Sequence, residues 1–122
     1  MGIVMTMIRI SNPRYPDLPP IEAHALVDSA CIYLVIPERV CRQLKLEAAG
    51  TRPVMLADGT WRDVPYVGPI DVRFKDRHGM GGAMVMGDQV ILGAIAMEDM
   101  DLVITPKRRS LDVNPNPVPL RV

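Results

Sequence analysis

Polar and apolar positions alternate with period two over Ile21 to Val27, which predicts a strand, and the largely apolar Met5 to Ile10 before it also reads as one. In the former, Ile21, Ala23, Ala25 and Val27 oppose Glu22, His24 and Leu26. The intervening Ser11-Asn12-Pro13 and Pro16 to Pro20 predict a loop, because proline fixes φ and removes a backbone donor. Pro37 to Leu46 changes to helical spacing, with Pro37 suited to a first turn and Val40, Cys41 and Leu44 on one face. Strands are predicted again over Val54 to Leu56 and Trp61 to Val67, which Ala57-Asp58-Gly59-Thr60 joins as a tight hairpin. Further strands are predicted over Ile70 to Phe74, Ala83 to Met86 and Gln89 to Leu92, with Gly87-Asp88 as a turn and Gly79, Gly81 and Gly82 in a loop. Gly93 ends that run. A short helix is then expected over Ala94 to Met100, a strand over Leu102 to Ile104, a basic turn at Lys107-Arg108-Arg109 and a last strand over Leu111 to Val113.

These elements predict a mostly β fold, a small closed barrel with one or two short helices. The barrel domain is expected to span residues 1–113. Residues 114–122 form a Pro-rich tail, whose three prolines between Asn114 and Pro119 exclude it from a central strand and make it a mobile end or an extended arm.

With 122 residues the chain makes one domain, and at that size a second copy adds useful burial. Its 14 basic and 14 acidic side chains balance, which argues against a cationic face for nucleic acid. Five aromatics against nine methionines imply aliphatic and thioether packing, with Met84, Met86, Met97 and Met100 expected in the core. Two cysteines are too few for a disulfide scaffold, and Met1 to Ile10 lacks a basic leader and is interrupted by Arg9. A cytoplasmic protein with no membrane segment is therefore expected. His24 and His78 stand apart from any Cys or Glu with ligand spacing, so no metal and no cofactor are expected.

The specific chemical signal is Ala25-Leu26-Val27-Asp28-Ser29-Ala30, an apolar strand that delivers a carboxylate into a tight turn beside a hydroxyl. Such Asp-Ser pairs also occur as ordinary turn residues. The motif resembles the retropepsin-like aspartic proteases, bacterial single-domain members in particular. The resemblance extends over Ile21 to Val113. It takes in Val35-Ile36-Pro37 before the helix, the Ala57 to Thr60 hairpin at a flap-like position, and Val90-Ile91-Leu92-Gly93 followed by a short helix and Asp101-Leu102-Val103.

That resemblance implies a barrel of the retropepsin type working as a homodimer on a peptide or protein substrate, because the chemistry needs two carboxylates and the chain carries one motif. Asp28 from each subunit is the implied catalytic pair. Ser29 is the implied brace between the two active-site loops, and Leu56, Ala57, Asp58, Gly59, Thr60 and Trp61 the implied substrate-binding flap. Trp61 also reads as a partly buried aromatic in a plain hairpin. Ala30 departs from the pattern, which has glycine there. If the turn requires positive φ, alanine costs on the order of 1 kcal/mol, and the methyl group crowds the carboxylate pair. A peptide-binding or dimerisation module without turnover is therefore an alternative, as is a monomeric subunit of a larger assembly. Ser29 with His24 offers a serine-hydrolase reading, which lacks the glycine-flanked nucleophile elbow. Cys31 reads either as a wet reactive thiol or as a small buried hydrophobe.

Overall fold

A computed structural model describes residues 3–116 and 119 of the chain. Among the described residues nine strands form: β1 (Met5–Ser11), β2 (Ile21–Val27), β3 (Leu34–Ile36), β4 (Ala48–Met55), β5 (Trp61–Phe74), β6 (Arg77–Val85), β7 (Val90–Leu92), β8 (Leu102–Thr105) and β9 (Ser110–Val113). Two short helices interrupt them, α1 (Glu38–Gln43) and α2 (Ala94–Asp99). Seven strands make one sheet in the order β1-β2-β7-β3-β6-β5-β4, and pairing of β1 with the far end of β5 closes six of them into a barrel. β4 stays outside the ring and pairs only with β5, while β8 and β9 form a separate hairpin.

The alternation read in β2 becomes its burial pattern, with Ala23, Ala25 and Val27 inside and Glu22 and His24 outside. Ile8, Ile10, Ile36, Ile70 and Leu92 fill the barrel, joined by Leu44 from beyond α1 and by the single phenylalanine, Phe74. Met84, Met97 and Met100 are buried as expected, whereas Met86 is only half-buried.

Four expected boundaries move. The first helix stops at Gln43 rather than Leu46, because Lys45 adopts a left-handed φ of 52° and its N–H closes on the Arg42 carbonyl at 3.1 Å. Buried Asn12 ties this helix end to the β1–β2 loop: its Nδ2 donates to the Leu44 carbonyl at 2.8 Å and its Oδ1 accepts the Arg14 N–H at 2.9 Å. The strand expected at Val54 begins instead at Ala48, and Pro53 is tolerated because β4 is an edge strand. The two strands expected on either side of Gly68-Pro69 are one strand, β5, in which this cis pair sits at a shift of register against β6.

The glycine cluster is the fourth correction: Gly79, Gly81 and Gly82 lie within β6, not in a loop. A Cβ on Gly79 would stand 2.9 Å from Asp99 Oδ2, and one on Gly82 would collide with the Tyr66 ring. These glycines let neighbouring side chains lie flat against the strand. Of the expected tail, Asn114 is held by the main chain of Asp101, to whose carbonyl its N–H donates at 3.0 Å. Residues 117, 118 and 120–122 lie outside the described residues. No helix among the described residues is long and apolar enough to cross a membrane.

Candidate active site

β2 hands its chain to the Asp28 loop under restraint from both sides. The Val27 N–H donates to the Val4 carbonyl at 2.8 Å and the Asp28 N–H to the Leu92 carbonyl of β7 at 3.1 Å. Asp28 Oδ1 then accepts the Ala30 N–H at 3.0 Å while its main-chain carbonyl accepts the Cys31 N–H at 3.1 Å. This is an Asx turn, the geometry a short carboxylate side chain favours. Downstream, the loop docks on the start of α2, where Ala94 and Ile95 donate to the carbonyls of Cys31 and Ile32 at 2.7 and 3.0 Å. Asp28 is half-buried; Ser29 and Ala30 are exposed.

Ala30 is not among the residues with positive φ, which are Lys45, Lys75, Asp101 and Arg109 apart from glycines. The backbone strain anticipated for alanine in place of glycine is therefore absent. His24 is exposed on β2, its carbonyl accepting from Gln89 Nε2 at 2.9 Å.

The hairpin β4–β5 projects from the barrel. At its tip Leu56 N–H donates to the Thr60 carbonyl at 2.8 Å and Gly59, at φ 84°, donates back to the Leu56 carbonyl at 2.9 Å. Asp58 Oδ1 accepts both the hydroxyl and the N–H of Thr60, at 2.6 and 2.9 Å. Those two bonds, the hydroxyl first, hold the Asp58 carboxyl below the ordinary carboxylate range. Trp61 is 65% exposed, so it is not a partly buried aromatic.

Two depressions meet at the Asp28 loop. Asp28 and Ser29 line one of ≈ 260 Å³ with Ile3, Val4, Ile104 and Pro106. Ala30, Cys31 and Tyr33 line a cleft of ≈ 580 Å³ against Arg52 and Met55 in the stem of the hairpin. The expected tip residues Leu56 to Trp61 border neither, so the structure brings the stem, not the tip, against the loop. Burial, and then the charge of Asp28, push the Cys31 thiol up, which disfavours the reactive thiolate.

The fold can now be set beside solved structures. It superposes on the protease of EIAV complexed with the inhibitor HBY-793 with a TM-score of 0.60 and 17% identity, over 80% of this chain and 88% of that one. With the retroviral protease-like domain of Ddi1 from Leishmania major the TM-score is 0.61 at 13% identity, over 94% of this chain and 92% of that one. The fold is retropepsin-like. No family model and no curated protein matches the chain. The second match covers 94% of this chain, more than the Ile21 to Val113 expected.

Two residues of the cleft, Tyr33 and Arg52, escaped the sequence reading, and so did Tyr66, which packs against Arg52. Arg52 Nη1 donates to the Tyr33 hydroxyl at 3.0 Å, and its guanidinium lies 4.3 Å from the centre of the Tyr66 ring. Arg52 falls in a stretch without apolar alternation, so only the scarcity of aromatics in the chain offered a hint.

Proposed function

We propose that the protein is an aspartic endopeptidase active as a homodimer, with Asp28 of each subunit supplying the catalytic pair. The observation that carries this reading is the Asp28 turn, pinned between β2 and β7 on a retropepsin-like barrel at the edge of a cleft walled by a projecting hairpin. The EIAV neighbour is itself a protease bound to an inhibitor, which supports a peptide as the occupant of the cleft. Ser29, exposed beside Asp28, fits the brace between the two loops, and Ala30 borders the substrate. Leu56, Ala57, Asp58, Gly59, Thr60 and Trp61 form the mobile cover that closes when a peptide pairs with the hairpin as an added strand. The depression bounded by Ile3, Ile104 and Pro106 suits the second subunit, since Asp28 and Ser29 lie on it too.

Across the two-fold axis the two carboxylates cannot both ionise, so the pair holds one proton. The ionised Asp28 takes a proton from a water between them as its oxygen attacks the peptide carbonyl carbon. The protonated Asp28 hydrogen-bonds the carbonyl oxygen as it gains charge. When the tetrahedral species collapses, the C–N bond breaks, the departing nitrogen takes a proton from the pair, and acid and amine products leave. Two subunits are required for every step.

Cleavage of a peptide library at mildly acidic pH tests the proposal, with native mass measurement on the same sample. A dimer that cuts peptides, and an Asp28→Asn variant that stays dimeric and cuts none, are the expected results. A monomer, or equal cleavage by the variant, overturns it.

A further inference from the structure

The cleft beside the Asp28 loop is walled mainly by apolar side chains, among them Ile32, Val54 and Met84, and the one charged side chain lining it is Arg52. Arg52 stands in β4 opposite Val64 of β5, in the stem of the projecting hairpin. Its guanidinium lies over two rings, 4.3 Å from the centre of Tyr66 and 5.4 Å from that of Tyr33, while Nη1 holds the Tyr33 hydroxyl at 3.0 Å. The rings brace each other edge to face at 5.5 Å.

This is an unusual state for an exposed arginine. A surface guanidinium with no task ordinarily swings in water or pairs with a nearby acid. Among the described residues no carboxylate lies within ion-pair distance of Arg52, nor of Arg39, Arg62, Arg108 or Arg109, but Arg52 alone of the arginines lies over aromatic rings. The rings instead fix the plane of the guanidinium, and Tyr33 occupies one of its five donors. A planar cation held in one orientation, with donors to spare at the rim of an apolar cleft, is matched by a carboxylate that binds it side by side.

We infer that Arg52 selects an acidic side chain of the bound peptide, so that the substrates are peptides carrying Asp or Glu close to an apolar residue that fills the cleft. The inference rests on the reading of the cleft as a peptide site. In the homodimer a second Arg52 stands on the other side of the two-fold axis, so acid is favoured on both sides of the scissile bond.

The test uses labelled decapeptides with a central Leu-Phe pair and Glu, Gln or Lys at each flanking position in turn. Cleavage by the natural chain and equilibrium binding to Asp28→Asn, followed by fluorescence anisotropy, are measured in parallel. At one or more positions Glu is expected to exceed Gln by about five- to tenfold, a preference that shrinks with salt. In Arg52→Ala and Arg52→Gln the ratio falls to about 1, in Arg52→Glu it turns toward Lys, and Arg52→Lys keeps part of it. Thermal unfolding identifies which variants fold, and any one of these that folds suffices. If replacing Arg52 weakens Glu and Gln peptides equally, the side chain only braces the two tyrosines and the inference is wrong. Cleavage without acid preference overturns the inference and leaves the protease reading standing. Absence of cleavage with Arg52-dependent binding of Glu peptides to Asp28→Asn does the reverse. Absence of both cleavage and binding overturns both.

Discussion

Gly93 lies directly beneath Cys31: a methyl group on Gly93 would stand 2.6 Å from the Cys31 carbonyl oxygen and would also collide with that of Tyr33. Both contacts are with main chain, which has no rotamer by which to yield. The same short span joins the Asp28 loop to α2, through the 2.7 Å bond from the Ala94 N–H to the Cys31 carbonyl. Gly93→Ala is therefore expected to destabilise the fold by about 1–3 kcal/mol, as overpacking does. Chemical denaturation measures this, and a change within about 0.5 kcal/mol, the scatter of surface substitutions, would show that the loop does not rest on Gly93.

Cys31 reports on the charge beside it. Burial raises its thiol most, the Asp28 carboxylate raises it further, and the Tyr33 carbonyl that accepts its S–H lies 3.4 Å away. Replacing Asp28 by Asn removes one of the two raising causes, so Cys31 should titrate lower in Asp28→Asn than in the natural chain. The pH dependence of iodoacetamide labelling, in a Cys41→Ala background that leaves one thiol, reads the shift. An unchanged or higher midpoint would mean that the carboxylate does not face Cys31.

What the chain reveals of itself follows where the information sits. β2 was legible because its burial is written in its own alternation, Ala23, Ala25 and Val27 against Glu22 and His24. The first six residues of β4 were not: every one from Ala48 to Pro53 is exposed, so no apolar period marks them, and their pairing with β5 defines the strand. Gly79 and Gly82 of β6 misled because their cause lies elsewhere, in Asp99 and Tyr66 pressing on the strand from other elements. At the site, the Asp28 turn showed locally, through an Asp that bonds the N–H two residues on. The Arg52 stack did not, because Tyr66 meets it across the β4–β5 pairing and Tyr33 comes from the segment before β3, 19 residues away.

The hairpin tip carries a pH dependence of fixed sign. Asp58 is held below the ordinary carboxylate range by the hydroxyl and then the N–H of Thr60, so its folded value lies under its unfolded one. Its contribution to the turn is full above the unfolded value and is lost as pH falls through the folded one. The tip should stay ordered in a mildly acidic cleavage assay and loosen only below about pH 4, the ordinary carboxylate value. Thr60→Val removes the larger cause, so Asp58 should titrate higher and the tip loosen at higher pH. Carboxyl carbon NMR of Asp58 with exchange of the Thr60 amide measures both. A Thr60→Val protein with the natural titration would place the cause elsewhere.

Ala30→Gly discriminates between two accounts of the motif. Were alanine strained there, glycine would relieve the turn and stabilise the protein. Because Ala30 lies outside the positive-φ region and its side chain is exposed, glycine instead adds freedom to the unfolded chain without relieving anything. The variant is expected to be less stable than the natural chain by about 0.4–1 kcal/mol, the usual size of that entropy. Its cleavage rate should remain within about fivefold of the natural one, since at most about 1 kcal/mol is at stake. Activity appearing in Ala30→Gly where the natural chain has none would assign the natural chain to peptide binding without turnover. Equal activity in the two would show that the methyl group leaves room for substrate beside the paired Asp28 carboxylates.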